Sequence, residues 1–168
     1  GHGDTGVDSH FDLPVLNYTM DRLRETELYP FQQMIDAGLQ GMMVAHLHVP
    51  AIDATPNIST TLSPRAVNDL LKNEMGFDGI VFTDGLEMKG VTKHFKADEV
   101  AIMAIRAGNH MLLLPENMDL AFNGLKTAFS KGKLEMVILN DNVKRILAAK
   151  YKLGLDTLIL PTPEYATK

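Results

Sequence analysis

At 168 residues, 45% hydrophobic and 22% charged, the chain has the size and composition of one globular domain with its own core. The formal charge of -5, with Lys and Arg scattered, leaves no basic stripe to neutralise a phosphate backbone, so no nucleic-acid partner is expected. Cysteine is absent, which excludes disulfides, thiolate metal sites and a thiol nucleophile, and the longest apolar runs are far too short to span a membrane.

Residues 1–19 are rich in Gly, Asp and His without a sustained period and read as a loop. The chain opens inside this loop with no leader or starter methionine, as a piece of something longer would. Leu23, Leu28, Phe31, Met34 and Ile35 follow at helical spacing, with Pro30 starting a second helical piece and Gly38 stopping it. Residues 41–45 form a short apolar run between turn signals, the pattern of a strand buried on both faces. After a loop over 46–62, Ser63 and Pro64 supply an N-cap and a first-turn proline for a helix carrying Val67, Leu70, Leu71 and Met75.

The unit then repeats as a strand over 79–83, a loop over 84–96, and a helix over 97–107 closed by Gly108. A third strand is expected over 111–114, then a helix bearing Ala121, Leu125, Ala128 and Phe129, and a last helix bearing Leu139, Val143, Ile146 and Leu147 before Gly154. The domain is expected to run over 1–155, with 156–168 as a proline-containing linker or tail.

Alternating strands and helices imply a parallel sheet with right-handed crossovers. The segments entering the strands are short, whereas those leaving them are long and hold most of the histidines and several carboxylates. A (β/α)8 barrel shows that asymmetry, because its active site is built from loops at the carboxyl ends of its strands. An open doubly wound sheet gathers ligands at the same edge and is the other possibility. Three strands cannot close a barrel of eight, so either the rest of a barrel lies elsewhere or the sheet is open.

Three places carry potential chemistry. In Asp8-Ser9-His10, a carboxylate two residues before an imidazole can fix its tautomer and favour its protonated form, giving an acid and base near neutral pH; the alternative is an ordinary surface loop. Asp84 stands at the end of an apolar strand, where it is either a carboxylate nucleophile at the mouth of a barrel or the cap of a following helical turn. His46 and His48 alternate on an extended segment, so they either form half of a metal site, with His10 and Asp84 completing it, or divide into a pocket residue and a structural one. Glu87, Lys89, His94 and His110 read as background, and the ten methionines as core filler.

Gly1-His2-Gly3-Asp4-Thr5 followed by Asp8-Ser9-His10, and Phe77-Asp78-Gly79-Ile80-Val81-Phe82-Thr83-Asp84, occur in the order and separation of two motifs of glycoside hydrolase family 3, and the chain resembles that family's β-N-acetylglucosaminidase branch over nearly its whole length. Val44-Ala45-His46, Leu62-Ser63-Pro64 and Arg145-Ile146-Leu147 also resemble the family. The resemblance implies an α/β fold, the C-terminal portion of a (β/α)8 TIM-like barrel with about three parallel strands and flanking helices. It implies Asp84 as the nucleophile of a retaining double displacement and His10, supported by Asp8, as acid and base, with His2, His46 and Met88 at the substrate. It implies no metal and no cofactor. The implied substrates are saccharides containing N-acetylglucosamine, such as peptidoglycan fragments, in a bacterial cytoplasm or periplasm. The implied partner is the N-terminal half of the barrel, including a substrate-clamping Lys-His pair just before Gly1, so the piece alone is expected to bind sugar poorly. His110 departs from the family, which usually has Asp there.

Overall fold

The computed structural model describes residues 2–157 and is α/β, with three parallel strands and flanking helices. The strands are β1 (Gly41–Val44), β2 (Ile80–Gly85) and β3 (Met111–Leu113), ordered β1-β2-β3 in one open sheet. Gly41 is in register with Ile80 and Val44 with Thr83. Outside β1, Val15 bridges to His48 in parallel, and Leu16 N–H donates to the His48 carbonyl at 2.9 Å, so the expected featureless first loop contributes the start of a fourth rung.

The helices are α1 (Met20–Arg22), α2 (Tyr29–Asp36), α3 (Lys89–Thr92), α4 (Ala97–Ala107), α5 (Met118–Ser130) and α6 (Met136–Lys152). Two wider π-type pieces join them, Leu23–Glu27 after α1 and Arg65–Glu74 between β1 and β2. The N-cap predicted at Ser63 forms, its Oγ accepting from Ala66 N–H at 3.3 Å. Gly38 and Gly108 end their helices at φ 88° and 109°, a left-handed conformation that costs glycine nothing.

The predicted strand over 79–83 is corrected by one residue at its start and two at its end. Gly79 lies before the strand, and Asp84 and Gly85 are its last rungs rather than the start of a loop. The reason is tertiary. Between Phe82 and Gly85 the pairing with β3 shifts register, Thr83 Oγ1 accepts the displaced Leu113 N–H at 2.9 Å, and Leu86 N–H donates to the Leu113 carbonyl at 3.0 Å. The expected loop over 84–96 also contains α3.

Burial alternates along β2. Val81 faces the helices and packs with Val67, Leu71, Phe77 and Ala107 in one core cluster. Ile80, Phe82 and Asp84 take the other face, which no described helix covers and on which Met43 of β1 is 53% exposed and Leu113 of β3 38% exposed. A closed barrel would bury that face in its interior.

α6 underlies the strand-entry end of the sheet. Asn142 donates to the Asn109 carbonyl ahead of β3, Arg145 bonds both the carbonyl and the carboxylate of Asp78 ahead of β2, and Lys152 donates to Gln40 ahead of β1. Of the apolar residues predicted on this helix, Leu139, Val143 and Leu147 stand exposed and Ile146 is half-buried. No described helix is long and apolar enough to cross a membrane. The predicted tail lies outside the described residues apart from its first two positions.

Candidate active site

Asp84 is half-buried at the carboxyl end of β2. Gly85 N–H donates to Asp84 Oδ1 at 2.8 Å, which fixes one carboxylate oxygen and leaves the other without a hydrogen-bond partner among the described residues. Gly85 is held in turn. Its carbonyl accepts from His46 Nε2 at 2.9 Å and from Met88 N–H at 3.1 Å.

His46 is fully buried, and its Nδ1 lies 2.8 Å from Thr61 Oγ1. Burial is the main cause holding its pKa below the ordinary histidine value, against the Gly85 carbonyl and the Asp84 charge, so the ring is neutral. A carbonyl can only accept, so the proton sits on Nε2, and Nδ1 faces the Thr61 hydroxyl, which also lies 2.9 Å from the Ala45 carbonyl. His46, predicted at the substrate, is thus enclosed by protein and braces the peptide beside Asp84. Met88, predicted there too, is buried, with Sδ 3.6 Å from where a Cβ on Gly85 would stand.

His10 lies on the exposed first loop. Its Nδ1 meets Asp8 Oδ1 at 2.7 Å, and its backbone N–H donates to the same oxygen at 2.9 Å. Those two contacts, the backbone one first, hold the Asp8 carboxyl below the usual range, so it is ionised at neutral pH. A carboxylate accepts only, so His10 Nδ1 carries a proton and Nε2 faces away from Asp8 as the exchangeable nitrogen. Ser9 between them is fully buried, and its Oγ lies 2.6 Å from His2 Nε2.

The loop with His10 and the segment after Asp84 touch directly. Gly90 N–H donates to the Ser9 carbonyl at 3.2 Å and Lys89 N–H to the His10 carbonyl at 3.4 Å, while Lys93 Nζ lies 3.1 Å from Asp12 Oδ1. The first-turn amides of α3, which have no partner inside their own helix, are thereby satisfied by the carbonyls of the Asp-Ser-His segment. Asp84 and His10 themselves share no hydrogen bond. Lys89, read as background, takes part in this contact; nothing in a four-residue Lys-Gly-Val-Thr helix signals it in advance. Thr61 was not singled out either, and only its position beside Leu62-Ser63-Pro64 could have drawn attention to it.

His48 does not join His46 in a common centre, because its Nδ1 donates to the Ile58 carbonyl at 2.9 Å. Among the described residues no three His, Cys, Asp or Glu side chains come together as metal ligands. An apolar groove of about 680 Å³ beside β1 is lined by Leu16, Leu23, Phe31, Met42 and Leu70, with His2 at its edge; neither Asp84 nor His10 reaches it.

Residues 1–149 match the Glycosyl hydrolase family 3 N terminal domain. The chain is 31% identical to "Beta-hexosaminidase A" of Pseudoalteromonas piscicida, the match covering 91% of this chain and 29% of that protein. It is 39% identical to a "Beta-hexosaminidase" of Nitrosospira multiformis over 72% of this chain and 34% of that one. A solved glycoside hydrolase family 3 β-N-acetylglucosaminidase from Paenibacillus sp. superposes with a TM-score of 0.89 at 34% identity, covering 97% of this chain and 32% of that one. The chain therefore spans about a third of the length of such relatives. With nearly all of its length accounted for in this way, the chain belongs to glycosyl hydrolase family 3.

Proposed function

We infer that the chain carries the reacting groups of a retaining glycosidase acting on β-N-acetylglucosaminides, peptidoglycan fragments among them. Asp84 attacks the anomeric carbon and forms a glycosyl ester while His10 gives its Nε2 proton to the departing oxygen. His10 then takes a proton from water as that water attacks the ester, which restores Asp84. Asp8 stabilises the protonated imidazole in each half.

The observation that carries this is the Asp8–His10 pair at 2.7 Å on a loop bonded to the very helix that follows the Asp84 strand. The names of the two bacterial relatives and of the Paenibacillus structure support the choice of sugar. His2 and Met88 belong to this neighbourhood as candidate sugar contacts, and the uncovered face with Phe82 and Met43 is the one that the remaining strands of a barrel would enclose. The 168 residues alone are then expected to turn over little.

The test is release of 4-nitrophenolate from its N-acetyl-β-glucosaminide by the full-length protein. Asp84→Asn and His10→Ala should each lower kcat/KM by about 10²–10⁴, and a 5-fluoro glycosyl donor should add its mass to the peptide containing Asp84. Full activity in both variants sinks the assignment. Placement of the histidines gives no support to the metal-dependent alternative, and chelation should leave the rate unchanged.

A further inference from the structure

Gly90 lies between the loop bearing His10 and His46, which braces the residue after Asp84. Its backbone φ is not in the left-handed region, so conformation does not require a glycine there. Space does. A Cβ on Gly90 would stand 3.2 Å from His46 Cβ, 3.3 Å from the Ser9 carbonyl oxygen and 3.4 Å from that of Asp12. Two of those three neighbours belong to the loop bearing His10, and the third is the ring that braces Gly85 beside Asp84. His46 is enclosed and both its nitrogens are bonded, so it has little room to give way. The loop lies at the surface and is the side that would move.

We propose that Gly90 is a positioning residue: its missing side chain lets the Asp8-Ser9-His10 loop seat against α3, and that seating sets the reach of His10 to the departing oxygen. The Lys93–Asp12 ion pair at 3.1 Å holds the same seat from outside. This inference rests on the glycosidase reading above. Proximity contributes steeply to proton transfer, so a displacement of a few tenths of an ångström acts on the acid before it acts on sugar binding.

The experiment compares aryl N-acetyl-β-glucosaminides whose phenols differ in acidity, using the full-length protein. A 2,4-dinitrophenolate leaves without a proton, whereas a 4-methylphenolate needs the acid. For Gly90→Ala, kcat/KM should fall at least about tenfold on the methylphenyl substrate and less than about threefold on the dinitrophenyl one, with the melting temperature recorded for each variant. Lys93→Met, at an exposed position that tolerates change, should show the same leaving-group dependence at about two- to fivefold and decides the matter if Gly90→Ala does not fold. Equal losses on both substrates, or none, would overturn the assignment of Gly90. If instead Asp84→Asn and His10→Ala are as active as the parent, the underlying glycosidase reading fails. If those two are inactive and the Gly90 and Lys93 variants match the parent, only the positioning role is lost.

Discussion

His46 Nε2 and the carbonyl of Gly85 meet at 2.9 Å, which ties the segment leaving β1 to the residue after Asp84. The chain of contacts runs from Thr61 through the neutral imidazole to Gly85, and from Gly85 N–H to Asp84 Oδ1. Thr61→Val keeps the shape but removes the hydroxyl that stands between His46 Nδ1 and the Ala45 carbonyl, leaving buried polar atoms unpaired, at a cost of about 1–3 kcal/mol. His46→Ala adds a cavity to the lost bonds and should cost about 2–4 kcal/mol. Urea unfolding checks both. A loss below about 0.5 kcal/mol for either would show that the bond network does not brace the strand end.

His110 gives a pH dependence with a defined sign. Val81 N–H donates to His110 Nδ1 at 2.9 Å, so the ring stays neutral to keep that bond. Burial, then Lys72 and Arg145, push its pKa down to about 4 from 6.5. Because the folded value lies below the unfolded one, its contribution is full above about pH 6.5 and is lost as the pH falls toward 4. For a group shifted that far, the loss between pH 6.5 and 4.5 is about 2 kcal/mol. His110→Asn supplies an acceptor that does not titrate, and it should flatten the fall in stability between pH 6.5 and 4.5 by about that amount. An unchanged slope in urea melts would remove His110 from the account.

The Val81–His110 bond bears on the position where the resemblance implies aspartate. Aspartate at this position would present a carboxylate oxygen to an N–H donor, and imidazole Nδ1 does the same work for Val81.

The alternation of strands and helices was legible because each strand is a short apolar run with a glycine within three residues of its start, and because Gly38, Ser63 and Gly108 act locally at helix ends. The end of β2 was not. Asp84 and Gly85 are poor strand residues, and what keeps them in the sheet is the register shift with β3 and the pull of His46 on Gly85, which are set by distant segments. Asp84, His10 and Asp8 stand out in the sequence as candidates by residue type and place, and the resemblance is what assigns them roles. The direction of the His46 ring was not legible, since alternation along a strand gives a face and not a hydrogen-bond partner. Nor was the bridge from Val15 to His48, because a pairing of that length leaves no periodic signal.

Gly79 should be intolerant of any side chain. A Cβ there would lie 2.5 Å from both the Gln40 carbonyl oxygen and Phe77 Cζ. The Gln40 oxygen accepts from Ile80 N–H at 2.9 Å in the first rung joining β1 to β2, so it cannot retreat without breaking that rung. Gly79→Ala is expected to destabilise by about 2–4 kcal/mol, an overpacking cost with a weakened hydrogen bond added. Pairing it with Phe77→Leu relieves only one of the two clashes and should recover less than half. Near-parental stability of the single variant in urea would contradict this account of the β1–β2 junction.

Asp8 tests the electrostatic half of the proposed chemistry separately from its geometry. The carboxylate oxygen accepts two hydrogen bonds from His10, one from the backbone and one from the ring, and the amide oxygen of Asn can accept both. Asp8→Asn therefore keeps the turn while removing the negative charge beside the imidazole. With the loop seated as before, kcat on an aryl N-acetyl-β-glucosaminide with a poor leaving group should fall by about 10²–10³ while KM changes less than about threefold. Asp8→Ala removes charge and turn together and should be worse by a further factor of about ten. If the Asn variant were as active as the parent, the carboxylate would be a turn former only, and the acid-base role of His10 would have to stand without it.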